Sequence, residues 1–277
     1  MFGIVLAIIG AFFVEIGCSV AKYEHAKHSE NIWAAIFLNS CATLILFALV
    51  GLYRGTLNFE ISNWPIVILG IILTLGANFI SNMATLQAPR SPTGMFRMLT
   101  VPLLTIVDYL TGYDISPIQI LGIGIVVITI MSLMRKNIWH RASTKWLMLN
   151  TLTVVLSTAV YKYSIDHVAS VETIQVLDVS AIILASLIAA RVIHKQNLFK
   201  LFTKPFALLQ AASMGIGSVL DGFAYEFAPA SIIGATYRSA QAFWTLVTGS
   251  LYFHEHKIWS KIIAVLFLIG GVVLLTR

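Results

Sequence analysis

Two stretches decide how this chain is read. Residues 84–94 are ATLQAPRSPTG and residues 224–234 are AYEFAPASIIG. Ala84, Ala88, Pro89, Ser91 and Gly94 recur as Ala224, Ala228, Pro229, Ser231 and Gly234, at a constant offset of 140. The same offset carries Val20, Lys22 and Tyr23 onto Val160, Lys162 and Tyr163, and Thr105 and Val107 onto Thr245 and Val247. A repeat of this length in a very apolar chain points to a membrane protein of two similar halves. Secondary transporters are the main users of that architecture.

Composition sets the class. The 277 residues are 58% hydrophobic and 11% charged, with mean hydropathy +0.87. Soluble domains carry about 25% charged residues. A globule of this length still exposes a large surface, and this composition cannot cover it with polar groups. Lipid solvates such a surface directly. The first residues, MFGIVLAIIGAFFVEIGCSVAK, lack a basic leader and a small-x-small cleavage site, and they contain Glu15. They read as a first membrane span, not a signal peptide. Cys18 and Cys41 fall inside expected spans and have neither disulfide-framework nor metal-ligand spacing.

Apolar runs of about 20 residues, enough to cross a bilayer, lie near 2–21, 32–52, 64–86, 92–111, 117–134, 146–164, 173–193, 205–226, 230–253 and 258–276. Turn signals separate them: Arg54-Gly55, Asn63-Trp64-Pro65, Pro89, Gly112-Tyr113-Asp114 with Pro117, Pro205 and Pro229. The expectation is an all-α polytopic membrane protein of ten transmembrane helices. Residues 1–136 form a first five-helix repeat, 137–144 a linker, and 145–277 a second repeat. Helices are required because a backbone in hydrocarbon must satisfy its own hydrogen bonds. Five is odd, so the second repeat enters the membrane from the opposite side and the halves are inverted. Gly122/Gly124 and Gly270/Gly271 read as close-packing patches.

Orientation follows from Lys and Arg. Loops after odd-numbered spans hold Lys27, Arg90, Arg135, Lys136, Arg141, Lys145, Arg191, Lys195, Lys200, Lys204 and Lys257; loops after even-numbered spans hold Arg54 and little else. That bias puts the odd loops in the cytoplasm and both termini outside, in a plasma membrane of bacterial inner-membrane type. The net charge of +6 is thereby explained without nucleic acid. The expected partners are the bilayer and a small-molecule solute, and a monomer suffices.

Ten spans, the five-plus-five repeat, and Ala-Pro-x-Ser-x-x-Gly opening the fourth and ninth spans resemble the drug/metabolite transporter (DMT) superfamily, EamA type. So does a polar residue just after those spans, Asp114 and Glu255. The resemblance covers essentially the whole chain. It implies transport of a small organic solute, a cavity between the repeats lined by spans one, three, four, six, eight and nine, and alternating access by rocking of the halves. It also implies cytoplasmic termini, the reverse of the charge bias.

Ionisable groups inside a span cost ~2.5–3.5 kcal/mol each on insertion scales and persist where they face a cavity or a partner. Glu15, Ser19 and Lys22 share one helix face, as do Thr74, Asn78, Asn82 and Thr85. Arg97 and Asp108 lie on one side of the fourth span, and Ser218, Asp221 and Tyr225 align in the eighth. The ninth carries Arg238, Gln241, Thr245 and Thr248, with Tyr237 and Trp244 on a neighbouring stripe. The candidate binding or gating residues are therefore Glu15, Lys22, Asn78, Asn82, Arg97, Lys162, Asp221, Tyr225, Tyr237, Arg238, Gln241 and Trp244. The competing reading is structural. Lys22 and Lys162 can snorkel to headgroups, Glu15 can pair with Lys22, Asn78 and Asn82 can bond a neighbouring helix, and Trp244 can pack.

Both signs of charge on these stripes suit a zwitterion, such as an amino acid or an amine-bearing metabolite. A nucleotide-like or phosphorylated solute, or a lipid-linked substrate moved by a flippase, is the alternative. No Ser/His/Asp arrangement or metal spacing supports an enzyme, and no cofactor is expected. Coupling to a proton through Glu15 or Asp221, or to another ion, is left open.

Overall fold

The computed structural model describes residues 1–28, 32–88, 90–110, 116–135, 141–193, 198–252 and 258–275. Pro89, the turn at 112–114 with Asp114, Glu255, and the loop lysines Lys136, Lys195 and Lys257 lie outside them. The described residues are helical and contain no strand. The helices are α1 Phe2–His28, α2 Ile32–Arg54, α3 Trp64–Gln87, α4 Arg90–Arg97, α5 Thr100–Leu110, α6 Pro117–Arg135, α7 Arg141–His167, α8 Val171–Ile188, α9 Pro205–Ala224, α10 Ala230–Leu251 and α11 Ile258–Leu275. A π turn, Ala189–Ile193, extends α8, and a 3-10 segment, Leu198–Thr203, precedes α9.

Local chemistry sets several of these ends. α3 and α9 each carry Pro in the first turn, where the missing N–H has no intrahelical acceptor to lose. Ser170 caps α8 by accepting from the backbone N–H of Thr173 at 3.2 Å. Gly55, at φ 64°, ends α2 in the left-handed conformation that a Cβ would penalise. Asp108 Oδ2 accepts from the N–H of Ser231 at 3.2 Å, which puts a carboxylate on the positive end of α10.

The fourth helix departs from the expected continuous span over 92–111. It is broken into α4 and α5 at Met98 and Leu99. Pro102 is the cause: it has no N–H to give Met98, and its ring collides with that carbonyl in a regular helix. Val101 N donates to Met98 O instead, at 3.1 Å, and Thr100 Oγ1 donates to Arg97 O at 2.7 Å. The position 140 residues on is Ala242, and α10 runs unbroken through it.

Packing runs mainly between the halves. α1 lies along α9 as α7 lies along α3; α2 lies on α8 and α9; α10 packs on α1 and α4; α6 and α11 pair at an edge. The α1–α9 seam is antiparallel. A Cβ on Gly3 would meet Ala224 O, one on Gly10 would meet Gly217 O, and one on Gly17 would meet Met214. Gly94, from the repeated motif, touches α10 so closely that a Cβ would fall 1.9 Å from Thr245 Oγ1. Its repeat partner Gly234 would meet only the end of the Leu104 side chain, at 3.0 Å.

Large apolar side chains face outward on most helices, among them Ile45, Leu49, Ile72, Ile128, Leu184 and Phe267. Exposed apolar surface spread over so many helices is unlike a water-soluble monomer. Among the described residues, five helices are long and apolar enough to cross a membrane: Phe2–Glu24, Trp33–Arg54, Trp64–Gln87, Val171–Val192 and Pro205–Ala224. This fits a membrane-embedded protein.

Candidate functional site

A polar cavity of about 210 Å³ opens among α3, α7, α8, α9 and α10. Its wall is Thr74 and Asn78 from α3, Ser157, Thr158 and Tyr161 from α7, Gln175 and Asp178 from α8, Ser218, Asp221, Gly222 and the adjoining Tyr225 from α9, and Arg238 from α10. α3, α7, α8 and α9 contribute residues at helical spacing, so each presents a polar stripe inward, and α10 adds Arg238.

The charged groups in this wall are poorly matched to one another. Asp178 is buried, and its Oδ2 accepts from Thr74 Oγ1 at 3.2 Å. Asp221 Oδ1 is buried with no hydrogen-bond partner among the described residues. Arg238 donates to Gln241 Oε1 at 2.8 Å and lies 5.1 Å from the centre of the Tyr237 ring. Among the described residues neither aspartate forms a salt bridge, and Arg238 has none. A charge withdrawn from water without a partner costs several kcal/mol, so these carboxyls either take up a proton or are solvated by what fills the cavity.

Two tyrosines of the wall pack on each other. Tyr161 and Tyr225 meet edge to face at 5.9 Å, and Tyr161 donates to Gly222 O at 3.2 Å. Beyond them Arg54 binds Glu172 at 2.9 Å and Glu226 at 3.6 Å, and its guanidinium lies 5.3 Å from the Phe223 ring. Arg54 reads in the sequence as a lone loop cation; the fold gives it two glutamates from the other half.

Of the residues expected from sequence, the fold brings Asn78, Asp221, Tyr225 and Arg238 to the cavity. The others stand elsewhere. Glu15 is buried and accepts from Ser19 Oγ at 3.1 Å and Thr248 Oγ1 at 2.6 Å, tying α1 to α10. Asn82 donates to Asn78 O at 2.8 Å and Asn78 to Thr74 O at 3.0 Å, so both amides bond along their own helix. Arg97, at the α4–α5 break, donates to Ser81 and Thr85 of α3 at 2.8 and 3.2 Å. Tyr237 is buried among Ala7, Ala11 and Ile233, Gln241 is buried beneath Arg238, and Trp244 packs on Phe12 at 4.8 Å.

The two lysines behave alike. Lys22 Nζ donates to Ala88 O, beyond the end of α3, and Lys162 Nζ donates to Tyr225 O, just past the end of α9, at 3.1 Å. Each ammonium sits on carbonyls at a helix C-terminus, where positive charge is favoured. Lys162 is also paired with Asp166 at 2.8 Å, whereas the position equivalent to Asp166 in the first half is Ala26.

Ser157, Thr158, Tyr161, Gln175 and Asp178 were not singled out by the sequence reading. Asp178 was findable, because it is an acid inside an apolar run, the same signal that marks Asp221. The seventh span was not among those that the resemblance assigns to a cavity.

No protein-family model matches the chain, and no curated protein matches it. A solved structure described only as "Crystal structure of protein" superimposes with a TM-score of 0.67 at 14% identity. The match spans 98% of this chain and 96% of that one, so the likeness is one of the whole fold.

Proposed function

We propose that this protein is a secondary transporter of the drug/metabolite transporter superfamily, EamA type, moving a small polar zwitterion across a bilayer by alternating access. An amino acid or amine-bearing metabolite is the favoured solute. The observation that carries this reading is the polar cavity bearing Asp221 and Arg238, neither of which forms a salt bridge among the described residues. A solute with an ammonium and a carboxylate completes both groups at once. A phosphorylated or nucleotide-like solute meets two carboxylates and one cation there, a poor match.

The ten-span inverted arrangement belongs to this proposal. Helix starts at 2, 32, 64, 90 and 117 are followed by starts at 141, 171, 205, 230 and 258. Contacts recur in the same sense, α1 with α9 and α7 with α3. These facts support two five-helix repeats related by a pseudo-two-fold axis. The Lys/Arg bias supports cytoplasmic odd loops and outside termini in a bacterial inner membrane.

Counterflow of labelled amino acids in proteoliposomes tests the function. Arg238→Ala is expected to lower transport at least tenfold in protein that keeps its melting temperature, and Arg238→Lys to lose part of it, because the planar fork is lost while the charge stays. Full transport by folded Arg238→Ala removes Arg238 from the solute path.

A further inference from the structure

The cavity charges do not balance, and the imbalance has a chemical meaning. Two carboxylates, Asp178 on α8 and Asp221 on α9, share a wall with one guanidinium, Arg238 on α10. The nearby charges do not restore neutrality. Lys162 is held by Asp166 and a backbone carbonyl, and Arg54 is held by Glu172 and Glu226. With both carboxylates ionised, the wall carries one net negative charge.

We infer that the preferred solute is a zwitterion that bears a further cationic group, with two ammonium-type groups and one carboxylate, the charge pattern of a dibasic amino acid. This rests on the transporter reading above and sharpens its substrate class. The solute's carboxylate meets Arg238, whose planar donors match it in a bidentate pair. One of its cationic groups meets Asp221, whose Oδ1 has no other hydrogen-bond partner among the described residues. The second meets Asp178, which Thr74 holds through one oxygen, leaving acceptor capacity on the carboxylate. A neutral amino acid would leave one of these carboxylates buried and uncompensated, a direct penalty against it.

The test is a binding panel on the purified full chain in nanodiscs. It comprises L-lysine, L-norleucine (the same chain without the terminal amine), 1,5-diaminopentane and L-glutamate, read by thermal shift and calorimetry. L-lysine is expected to bind at least tenfold tighter than L-norleucine, with the diamine between them and L-glutamate weakest. Asp178→Asn keeps an acceptor for Thr74 and should cancel the lysine preference, weakening L-lysine and tightening L-norleucine, because the carboxylate that a neutral amino acid leaves uncompensated is gone. Asp178→Glu should retain the preference, which guards against a merely misfolded Asn variant. Equal affinity for L-lysine and L-norleucine, a uniform loss in Asp178→Asn, or no binding by any member overturns the inference. Counterflow separates the two readings. Selective lysine binding without movement fails the transporter reading alone, and movement of neutral amino acids without lysine preference fails the charge inference alone.

Discussion

Along α1, Gly10 and Gly17 lie against α9; 140 positions later, on α7, stand Asn150 and Ser157. Opposite them, α9 presents Met214 and Gly217 where α3 presents Thr74 and Ala77. The two seams are repeat equivalents with different contents. At the first, Met214 reaches over Gly17 so closely that a Cβ would lie 2.5 Å from its Cγ, and the backbones of Gly10 and Gly217 touch. At the second, Ser157 and Thr74 face the polar cavity. The polar cavity lies at the second seam, and the first is close-packed at Gly10, Gly17 and Gly217. Small residues let helices approach until dispersion contacts close the gap, while larger polar side chains hold it open and line it.

Three substitutions test that contrast, in order of expected effect. Gly217→Ala places a Cβ 2.5 Å from Val14 Cγ2 and 2.9 Å from Gly10 O and Val14 N. Overpacking against backbone should cost ~1–3 kcal/mol, lowering the melting temperature in detergent even though Ala is the better helix former. A raised melting temperature would mean that the α1–α9 seam is not close-packed. Met214→Ala empties the space over Gly17. Met214 is only half-buried, so ~1–2 kcal/mol is expected, at the low end for large-to-small changes. Accessibility of the native Cys18, one residue away in the same seam, to a membrane-permeant thiol reagent should rise with it; unchanged labelling argues against a newly opened space. Asn150→Leu has the smallest effect. Asn150 is buried with its Nδ2 lacking a partner among the described residues. Replacing an unsatisfied amide by an apolar group of similar volume should change stability by less than ~0.5 kcal/mol or raise it slightly. A large loss would mean that the amide is held by water in a polar extension of the cavity.

The broken fourth helix makes a second contrast with α10. Pro102 and Ala242 are repeat equivalents, and only the proline interrupts its helix. The expected span over 92–111 runs straight through Pro102, although a proline inside an apolar run removes a hydrogen bond wherever the fold puts it. The consequence of the break was not legible. Arg97, freed at the end of α4, turns to Ser81 and Thr85 of α3 instead of the cavity. Arg238, one register step away in the repeat, sits within an unbroken helix and lines the cavity.

The amino-acid sequence determined what depends on the chain's own chemistry. Hydropathy dictated apolar helices, the 140-residue offset dictated that their order recurs, and polar residues at helical spacing dictated which face of α3, α9 and α10 is hydrophilic. Those properties are local, set by side-chain transfer energies and by 3.6 residues per turn. Tertiary structure alone decided which hydrophilic faces meet. Glu15 and Asp221 look alike in sequence, each an acid inside an apolar run, yet Thr248 and Ser19 bond one while the other opens on a cavity. Lys22 and Lys162 likewise read as anchors or gates, and helix packing put a terminal carbonyl beside each. The partner a buried charge finds depends on the rotation and register of a neighbouring helix, fixed by the interdigitation of many weak contacts spread over the whole bundle.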